Sequence, residues 1–322
     1  MLRHDSVKFN PLVSIIIPTR NEAQDIARTL EACLKLAYRP LEIIVVDDSE
    51  DETPKIVAAY AGRGVRLIHR DENRNGCCGA RNLGMQSASG EILLLLNADA
   101  LPRPDFITQI LRHYEEGADY VIVQSWVLNQ DCLWARYIHA GALANPHRDP
   151  EWSEGFSCRR AAAEKVGYIP GDFPVPFCRD YKFGHALNDA GFRKCVDRTI
   201  VMEHISPDRL DTYWRNQVWR GKFAAPYNYY LRKMPFWLVW LRELLKLGRT
   251  IIWYALIFPP ILHAVRLASF SPLGKGDILR FWLVRLVQDC ARTVGNFKGF
   301  AMVVRACSLE SYQTSRISSS NA

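Results

Sequence analysis

Short apolar runs alternate with helix-like segments between residues 12 and 130 of this chain. The runs are continuous, as in strands that are buried on both faces of a sheet. A repeat of strand and helix predicts an α/β protein with a parallel sheet. The predicted strands are residues 12–17, 41–47, 65–69, 92–97 and 120–127, and the predicted helices are 23–37, 52–61, 79–88 and 104–116.

Polar residues follow three of these strands. Thr19 follows the first, Asp47 and Asp48 follow the second, and Asn97 and Asp99 follow the fourth. Ligands of parallel sheets bind beyond the carboxyl ends of the strands. Asp and Asn also cap helices, so each residue alone has a structural explanation. Their occurrence at successive strand ends favours a shared binding site.

The motifs of several common α/β enzymes are absent from the sequence. It contains no GxGxxG for dinucleotides, no GxxxxGK[ST] for P-loop chemistry and no GxSxG hydrolase elbow. Carboxylates remain as the candidate chemical groups. They could accept from a nucleobase, hold a divalent cation against a diphosphate, and take a proton from a hydroxyl. A nucleotide sugar needs all three.

Several segments resemble, in order and spacing, the signatures of family 2 glycosyltransferases. On the donor side these are "SIIIPTRNE" (14–22), "IIVVDDSEDET" (43–53), "GCCGARNLG" (76–84) and "LLLLNADALP" (93–102). On the acceptor side they are "GFSCRRAAAEKVG" (155–167), "FCRDYKFG" (177–184) and "VMEHI" (201–205). The resemblance covers about residues 12–225. It implies the GT-A fold, a mostly parallel sheet flanked by helices, and an inverting sugar transfer.

The resemblance also implies which residues bind the donor, a UDP- or GDP-linked sugar. Thr19 and Glu22 would line the base and ribose pocket. Asp48, with Asp47 beside it, would contact the nucleobase and ribose, and Arg81 would lie near the base or the diphosphate.

Five further residues complete the implied site. Asn97 and Asp99 match the family's DxD motif, and Asp99 would hold a Mn²⁺ or Mg²⁺ ion on the diphosphate. Asp180 matches the catalytic base, or it caps the helix predicted at 180–191. His204 matches a further metal ligand, or it is a packed histidine. Arg220 matches a diphosphate- or acceptor-binding segment, or it is a membrane-facing charge.

Three departures from the family pattern affect these expectations. The first DxD carboxylate is the amide of Asn97, the usual Glu-Asp pair is Arg179-Asp180, and the usual Asn-x-Gly is stretched to "NRNG" (73–76). Alternation along an extended chain would send Asn97 and Asp99 to one side, facing one ligand. Because only Asp99 brings charge, metal binding without nucleotide should be weak. A cation beside Asp180 should weaken it as a base if the two side chains meet.

The last third of the chain has a different composition. Eleven basic residues and three acidic ones lie between Arg232 and Phe300, together with tryptophan-rich apolar stretches. The apolar run from Ile251 to Leu262 is twelve residues long and contains Pro259-Pro260, whereas a spanning helix needs roughly 20. Helices with Trp and Arg on apolar faces are typical of the lipid interface. Packing as a helical bundle, on itself or on a partner, is the alternative.

These patterns predict a glycosyltransferase domain at 1–230, a helical membrane-interfacial region at 231–307 and a disordered tail at 308–322. Scattered cysteines and an N-terminus without an apolar signal core favour the cytoplasmic face of the cell membrane. The net charge of +7 suits anionic partners, here nucleotides and an anionic membrane surface rather than nucleic acid.

The predicted activity is metal-assisted transfer to a hydroxyl of a glycan or lipid-linked acceptor, with Asp180 as general base. Two alternatives remain open. A polyprenyl-phosphate glycosyltransferase would need no base, because its acceptor is already ionised. A catalytically inactive nucleotide-sugar binding or scaffold subunit would explain Asn97 and Arg179.

Overall fold

The computed structural model describes residues 9–70, 76–146, 150–170, 179–256 and 258–320, with residues 179 and 306–320 given as backbone only. The chain divides into two compact units. The first comprises Met1–Leu128 and His147–Ile205, and the second comprises Asn129–Pro146 and Ser206–Ala322. This division differs from the predicted boundary at residue 230, because two segments before that residue belong to the second unit.

The first unit is built on an eight-stranded sheet with the order β3-β2-β1-β4-β7-β6-β8-β5. Its strands are β1 (Val13–Thr19), β2 (Leu41–Asp47), β3 (Val65–His69), β4 (Ile92–Leu95), β5 (Ala100–Leu101), β6 (Tyr120–Val127), β7 (Phe156–Arg159) and β8 (Lys194–His204). The pairs β3-β2, β2-β1, β1-β4 and β6-β8 are parallel, whereas β7 and β5 run antiparallel to their neighbours. The mostly parallel sheet is therefore confirmed.

Helices of the first unit cover both faces of this sheet. They are α1 (Ile26–Leu34), α2 (Thr53–Ala58), α3 (Gly76–Ser87), α4 (Phe106–Glu115), α6 (Arg160–Lys165) and α7 (Arg179–Asp189). Alternate residues of each central strand enter opposite cores: Ile15 and Leu94 pack on one face, and Ile16 and Leu93 on the other. The four leucines that precede Asn97 are thus buried on both sides of the sheet, as their continuous run predicts.

The second unit is helical. It contains α5 (Leu133–Ala144), α8 (Leu210–Pro226), a π-helical turn at Tyr227–Leu231, α9 (Phe236–Ala255), α10 (Phe258–Ala268) and α11 (Ile278–Ser320). Its core joins side chains of α5, α8, α10 and α11, including Tyr137, Tyr213, Leu267 and Phe281. The backbone of α11 continues to Ser320, whereas disorder was predicted for 308–322.

Two internal contacts hold these helices together. Arg136 on α5 donates to both oxygens of Asp277, at 2.7 and 3.1 Å, and both side chains are buried. The helices α8 and α11 cross at glycines. A Cβ atom added at Gly221, Gly295 or Gly299 would collide with the backbone of the facing helix. Such an approach is open only to residues without a side chain.

Among the described helices, none is both long and apolar enough to cross a membrane alone. The helices α9 and α10 pass that test as a pair, but the chain bends by 88° between them. Pro259 and Pro260 stand at the start of α10, where the fixed proline φ and the missing N–H groups are tolerated.

Candidate active site

The carboxyl ends of β1 and β2 are joined through the side chain of Asp47. This carboxylate is fully buried. It accepts hydrogen bonds from the hydroxyls of Thr19 at 2.7 Å and Ser49 at 2.6 Å, and its second oxygen lies 3.0 Å from Nδ1 of His69. The prediction that Asp47 contacts the nucleobase and ribose is therefore not supported. Its oxygens hold neighbouring strand ends together because internal donors satisfy them, and Thr19 is engaged in the same network.

The carboxylate of Asp48 directly follows β2, at the carboxyl end of that strand. Arg70, which follows β3, binds it through both guanidinium branches, with Nε donating to Oδ1 at 2.6 Å and Nη2 to Oδ2. The same Nη2 also donates to the carbonyl of Gly76 at 3.2 Å. A two-point contact fixes the plane of the carboxylate, so Arg70 orients Asp48. Arg70 was not predicted, although it is the polar residue that follows the third strand.

Arg81 on α3 connects the end of β4 to α7. Its Nη2 donates to Oδ1 of Asn97 at 2.8 Å, and its Nη1 donates to Oδ2 of Asp180 at 2.9 Å. The guanidinium also lies over the ring of Trp152, 5.1 Å from the ring centre. Arg81 is buried, and its Nε has no hydrogen-bond partner among the described residues. The structure therefore brings together three residues, Arg81, Asn97 and Asp180, that the resemblance placed in one site.

Asp180 lies in the first turn of α7, where a capping role is the alternative explanation. Its carboxylate contacts distant groups instead: Arg81 at one oxygen and the thiol of Cys78, which donates to the other at 3.2 Å. Burial and the Asp180 charge raise the pKa of Cys78 well above its usual range, so this cysteine remains a protonated donor. The cation in contact with Asp180 is Arg81; the side chain of Arg179 lies outside the described residues, as does most of "NRNG".

Glu154, just before β7, is a site residue that the sequence did not indicate. One of its oxygens accepts from the backbone N–H of Asn97 at 2.7 Å, and the other accepts from the Asn97 side-chain amide. The amide oxygen of Asn97 then points to Arg81. Asn97 is thus fixed at its backbone N–H and at both polar atoms of its side chain, and a carboxylate stands next to the position where the family motif has one.

Asn97 and Asp99 do not lie on one extended strand. The N–H of Ala100 donates to the carbonyl of Asn97 at 3.2 Å, which closes a turn over these residues. The predicted alternation is therefore wrong, because it requires extended backbone. The side chain of Asn97 forms hydrogen bonds with Arg81 and Glu154. The charge of Asp99 raises the pKa of Glu22 and of Glu154.

Three carboxyl groups of this region resist ionisation. Burial and the charge of Asp99 raise the pKa of Glu22 to about 7. The same causes raise the pKa of Glu154 to about 7, and burial together with Asp25 raises that of Asp99 to about 6. A divalent cation would relieve this repulsion, since carboxylate oxygens are the ligands that Mg²⁺ and Mn²⁺ prefer.

The second predicted metal ligand, His204, ends β8. Its strand pairs with β5 so that His204 stands opposite Ala100, and the N–H of Ile205 donates to the carbonyl of Asp99 at 3.2 Å. The backbone thus brings His204 close to Asp99. Within the described part of the chain, no three His, Cys, Asp or Glu side chains form a group that could hold a metal ion. The donor set therefore fits a cation that takes most of its ligands from a diphosphate and water.

Arg220 belongs to the second unit. It is exposed on α8, and its Nε donates to Oδ1 of Asn216 at 2.8 Å. The role of Arg220 in binding the diphosphate or the acceptor stays a prediction.

One protein-family model and several known proteins match parts of this chain. The model described as "Glycosyl transferase family 2" matches residues 14–173. The succinoglycan biosynthesis protein ExoO of Rhizobium meliloti is 35% identical over 116 residues, which cover 36% of this chain and 33% of that protein. The chain spans only about a third of the length of the first curated relatives it matches.

Solved structures show the same fold. A mannosyltransferase, PcManGT from Pyrobaculum calidifontis, in complex with GDP-Man and Mn²⁺, superposes with a TM-score of 0.61 at 20% identity, over 91% of this chain and 88% of the other. TarS 1-349 of S. aureus gives a TM-score of 0.50 at 17% identity, over 91% of both chains. The GT-A fold predicted from the sequence is thus confirmed.

Proposed function

Because residues 14–173 of this chain belong to glycosyl transferase family 2, we propose that the protein transfers a sugar from a nucleotide-diphosphate sugar to a hydroxyl of a glycan or lipid-linked acceptor, with inversion at the anomeric carbon. The bridge formed by Arg81 is the observation that carries this proposal. One guanidinium holds both Asn97, at the end of β4, and Asp180, on α7. Asn97, suited to the donor, and Asp180, suited to the acceptor, are thus both held by the guanidinium of Arg81.

Asp180 is the general base of this mechanism. A carboxylate has about four lone-pair positions, and Arg81 and Cys78 take one on each oxygen. Positions remain for an acceptor hydroxyl, which Asp180 deprotonates as the oxygen attacks the anomeric carbon. Arg81 and Cys78 prevent the carboxylate from rotating, and the alignment lowers the entropic cost of the attack.

The donor binds along the strand ends. Asp48, oriented by Arg70, accepts from the nucleobase or ribose, and Glu22 and Thr19 form the neighbouring wall. Asp99, with His204 close to it along the backbone, would hold a Mn²⁺ or Mg²⁺ ion. That ion, when bound, stabilises the charge of the departing nucleotide diphosphate. Arg81 lies near the same diphosphate and adds a fixed positive charge.

The first experiment is a thermal-shift panel of UDP- and GDP-linked sugars with Mn²⁺ or Mg²⁺, because a ligand of the folded state raises the melting temperature. Transfer by Asp180→Asn is then measured with the donor that binds. We expect a loss of about 10²–10⁴-fold in turnover, the usual contribution of a general base, with donor affinity retained. Asp189→Asn, an exposed position on the same helix, is the matched control. Normal turnover by Asp180→Asn would remove the base from the mechanism.

One observation favours a second candidate, a polyprenyl-phosphate glycosyltransferase. Asp180 already accepts a hydrogen bond from the buried Arg81 and another from Cys78, and a phosphate acceptor needs no base. Transfer of radiolabelled sugar to a polyprenyl phosphate that Asp180→Asn does not impair would establish this candidate instead.

We further propose that the second unit rests on an anionic membrane surface, at the cytoplasmic face of the cell membrane. Its helices expose many large apolar side chains, among them Trp237, Leu245, Ile252 and Phe258. Eleven basic residues against three acidic ones between Arg232 and Phe300 complement negative lipids. Binding of the full chain to anionic vesicles should weaken as salt is raised. Equal binding to neutral vesicles at all salt concentrations would contradict the electrostatic part.

A further inference from the structure

A cavity to which several charged and polar residues contribute lies between α9, α10 and α11 in the second unit, and the proposed sugar transfer makes no use of it. Its volume is about 230 Å³. A water molecule occupies about 30 Å³ of liquid, so the cavity has room for a group of several oxygen atoms. The lining residues are Arg249, Thr250, Trp253, His263, Arg285 and Asp289.

The one acidic residue of the lining, Asp289, accepts two hydrogen bonds at a single carboxylate oxygen, Oδ2. Asp289 accepts from Nε of Arg285 at 2.7 Å and from the hydroxyl of Tyr254 at 2.9 Å. Arg285 also directs Nη1 at Nε2 of His263, 3.1 Å away. Arginine can only donate, so His263 is neutral and carries its proton on Nδ1. Burial and the adjacent Arg285 lower the pKa of His263 to about 4, which agrees with this assignment.

Donors and positive charge exceed acceptors in the cavity. The guanidinium of Arg249 makes no hydrogen bond or ion pair with any described residue. The indole N–H of Trp253, another lining residue, is buried without an acceptor in the described part of the chain. Two arginines face one carboxylate and a neutral histidine, so the lining carries one excess positive charge. A ligand rich in oxygen and negatively charged complements such a lining.

The surroundings of the cavity are apolar. Ile252, on the same helix as Arg249, and Leu256, the residue that follows this helix, are 60% and 62% exposed. A ligand that joins an oxyanion to hydrocarbon would satisfy the lining and cover this rim at once. We propose that the cavity is a binding site for a phosphate group, and that the head group of an anionic lipid or free phosphate supplies it. This site does not depend on the proposed transfer activity.

The chain offers a matched pair of variants for the test. Arg249 lines the cavity, and Arg242 lies seven residues earlier on α9, close to the same helical face, without lining it. Both side chains are exposed, so Arg249→Ala and Arg242→Ala should fold normally. Each removes one charge from the same helix. Any difference between the variants therefore reports the cavity and not general attraction to a charged surface.

The full-length protein and both variants are titrated with phosphatidylcholine vesicles, with the same vesicles containing phosphatidic acid, and with inorganic phosphate. General attraction should cost both variants about fivefold in affinity for the acidic vesicles. Arg249→Ala should lose about tenfold more, the usual effect of a lost charge-assisted hydrogen bond. That excess loss with acidic vesicles identifies a lipid phosphate, and the same excess with inorganic phosphate alone identifies free phosphate. Equal losses for the two variants in every titration, or no phosphate-dependent binding, would overturn the proposal.

Discussion

Glu22 allows a sharp test of the repulsion among the carboxyl groups of the site. Burial and the charges of Asp99, Asp25 and Asp51 raise its pKa from 4.5 to about 7. The folded state thus holds the proton more tightly than the unfolded chain does. The stabilisation from this proton is fully present below about pH 4.5 and is lost as the pH rises through about 7. Ionised Glu22 destabilises the fold above that pH.

Glu22→Gln removes this penalty, because glutamine has nearly the shape of the protonated acid and never ionises. The rise in pKa corresponds to at most about 3 kcal/mol. Glu22 is only partly buried and solvent screens its charge, so we expect about 1–2 kcal/mol at pH 8. This should raise the melting temperature by about 3–6 °C at pH 8 and leave it unchanged at pH 5.

The assay is thermal unfolding of the metal-free protein at several pH values between 5 and 8. Glu50→Gln is the control, because the Glu50 side chain is 83% exposed on the neighbouring loop. If Glu22 also binds the donor, the stabilised variant should bind nucleotide sugar more weakly. A stability difference that is the same at pH 5 and pH 8 would refute the electrostatic reasoning.

Two further substitutions test positions that hold the fold. Both carboxylate oxygens of Glu154 accept hydrogen bonds from Asn97, and Glu154→Gln replaces one of these oxygens with an NH₂ group. At pH 5, where its raised pKa keeps Glu154 protonated, we expect about 1–3 kcal/mol lower unfolding free energy in urea, against no change for the exposed control Glu164→Gln. Equal unfolding free energies for Glu154→Gln and the unmodified protein would refute the buried hydrogen bonds. Gly295→Ala should cost about 1–3 kcal/mol by overpacking α8, whereas Gly248→Ala, with no atom near its added Cβ, should gain up to about 1 kcal/mol. A gain at both glycines would contradict the close crossing.

The sequence was most informative where burial dictates composition. The predicted ranges 41–47, 65–69 and 120–127 coincide with β2, β3 and β6. Most of β2 and the first half of β6 are buried and therefore apolar, whereas the edge strand β3 is only partly buried and carries Arg66 and His69. β7 gave no such signal, since it is four residues long and pairs antiparallel with β4. The assignment of α5 to the second unit was also missed, since local periodicity does not specify which distant helix covers an apolar face.

The site residues were predictable where a family motif marked them. The bridge from Arg81 to Asp180 joins positions that the family motifs had marked, so their proximity was predictable. Asp47 was assigned to the ligand because it stands next to Asp48, yet alternation along the strand turns it inward to Thr19. Glu154 could not be found from the sequence, because its partner Asn97 lies 57 residues away and only the tertiary fold brings them together.

Residues 129–146 belong to the second unit but interrupt the first unit along the sequence. This order has a consequence for synthesis of the chain. The helix α5 emerges from the ribosome long before its partners Asp277 and Phe281. At about 5–20 residues per second, its apolar face waits roughly 10–30 s for them. A chain truncated after residue 205 would never supply them. Isolating the first unit therefore requires excision of α5 as well, with residue 128 rejoined to residue 147.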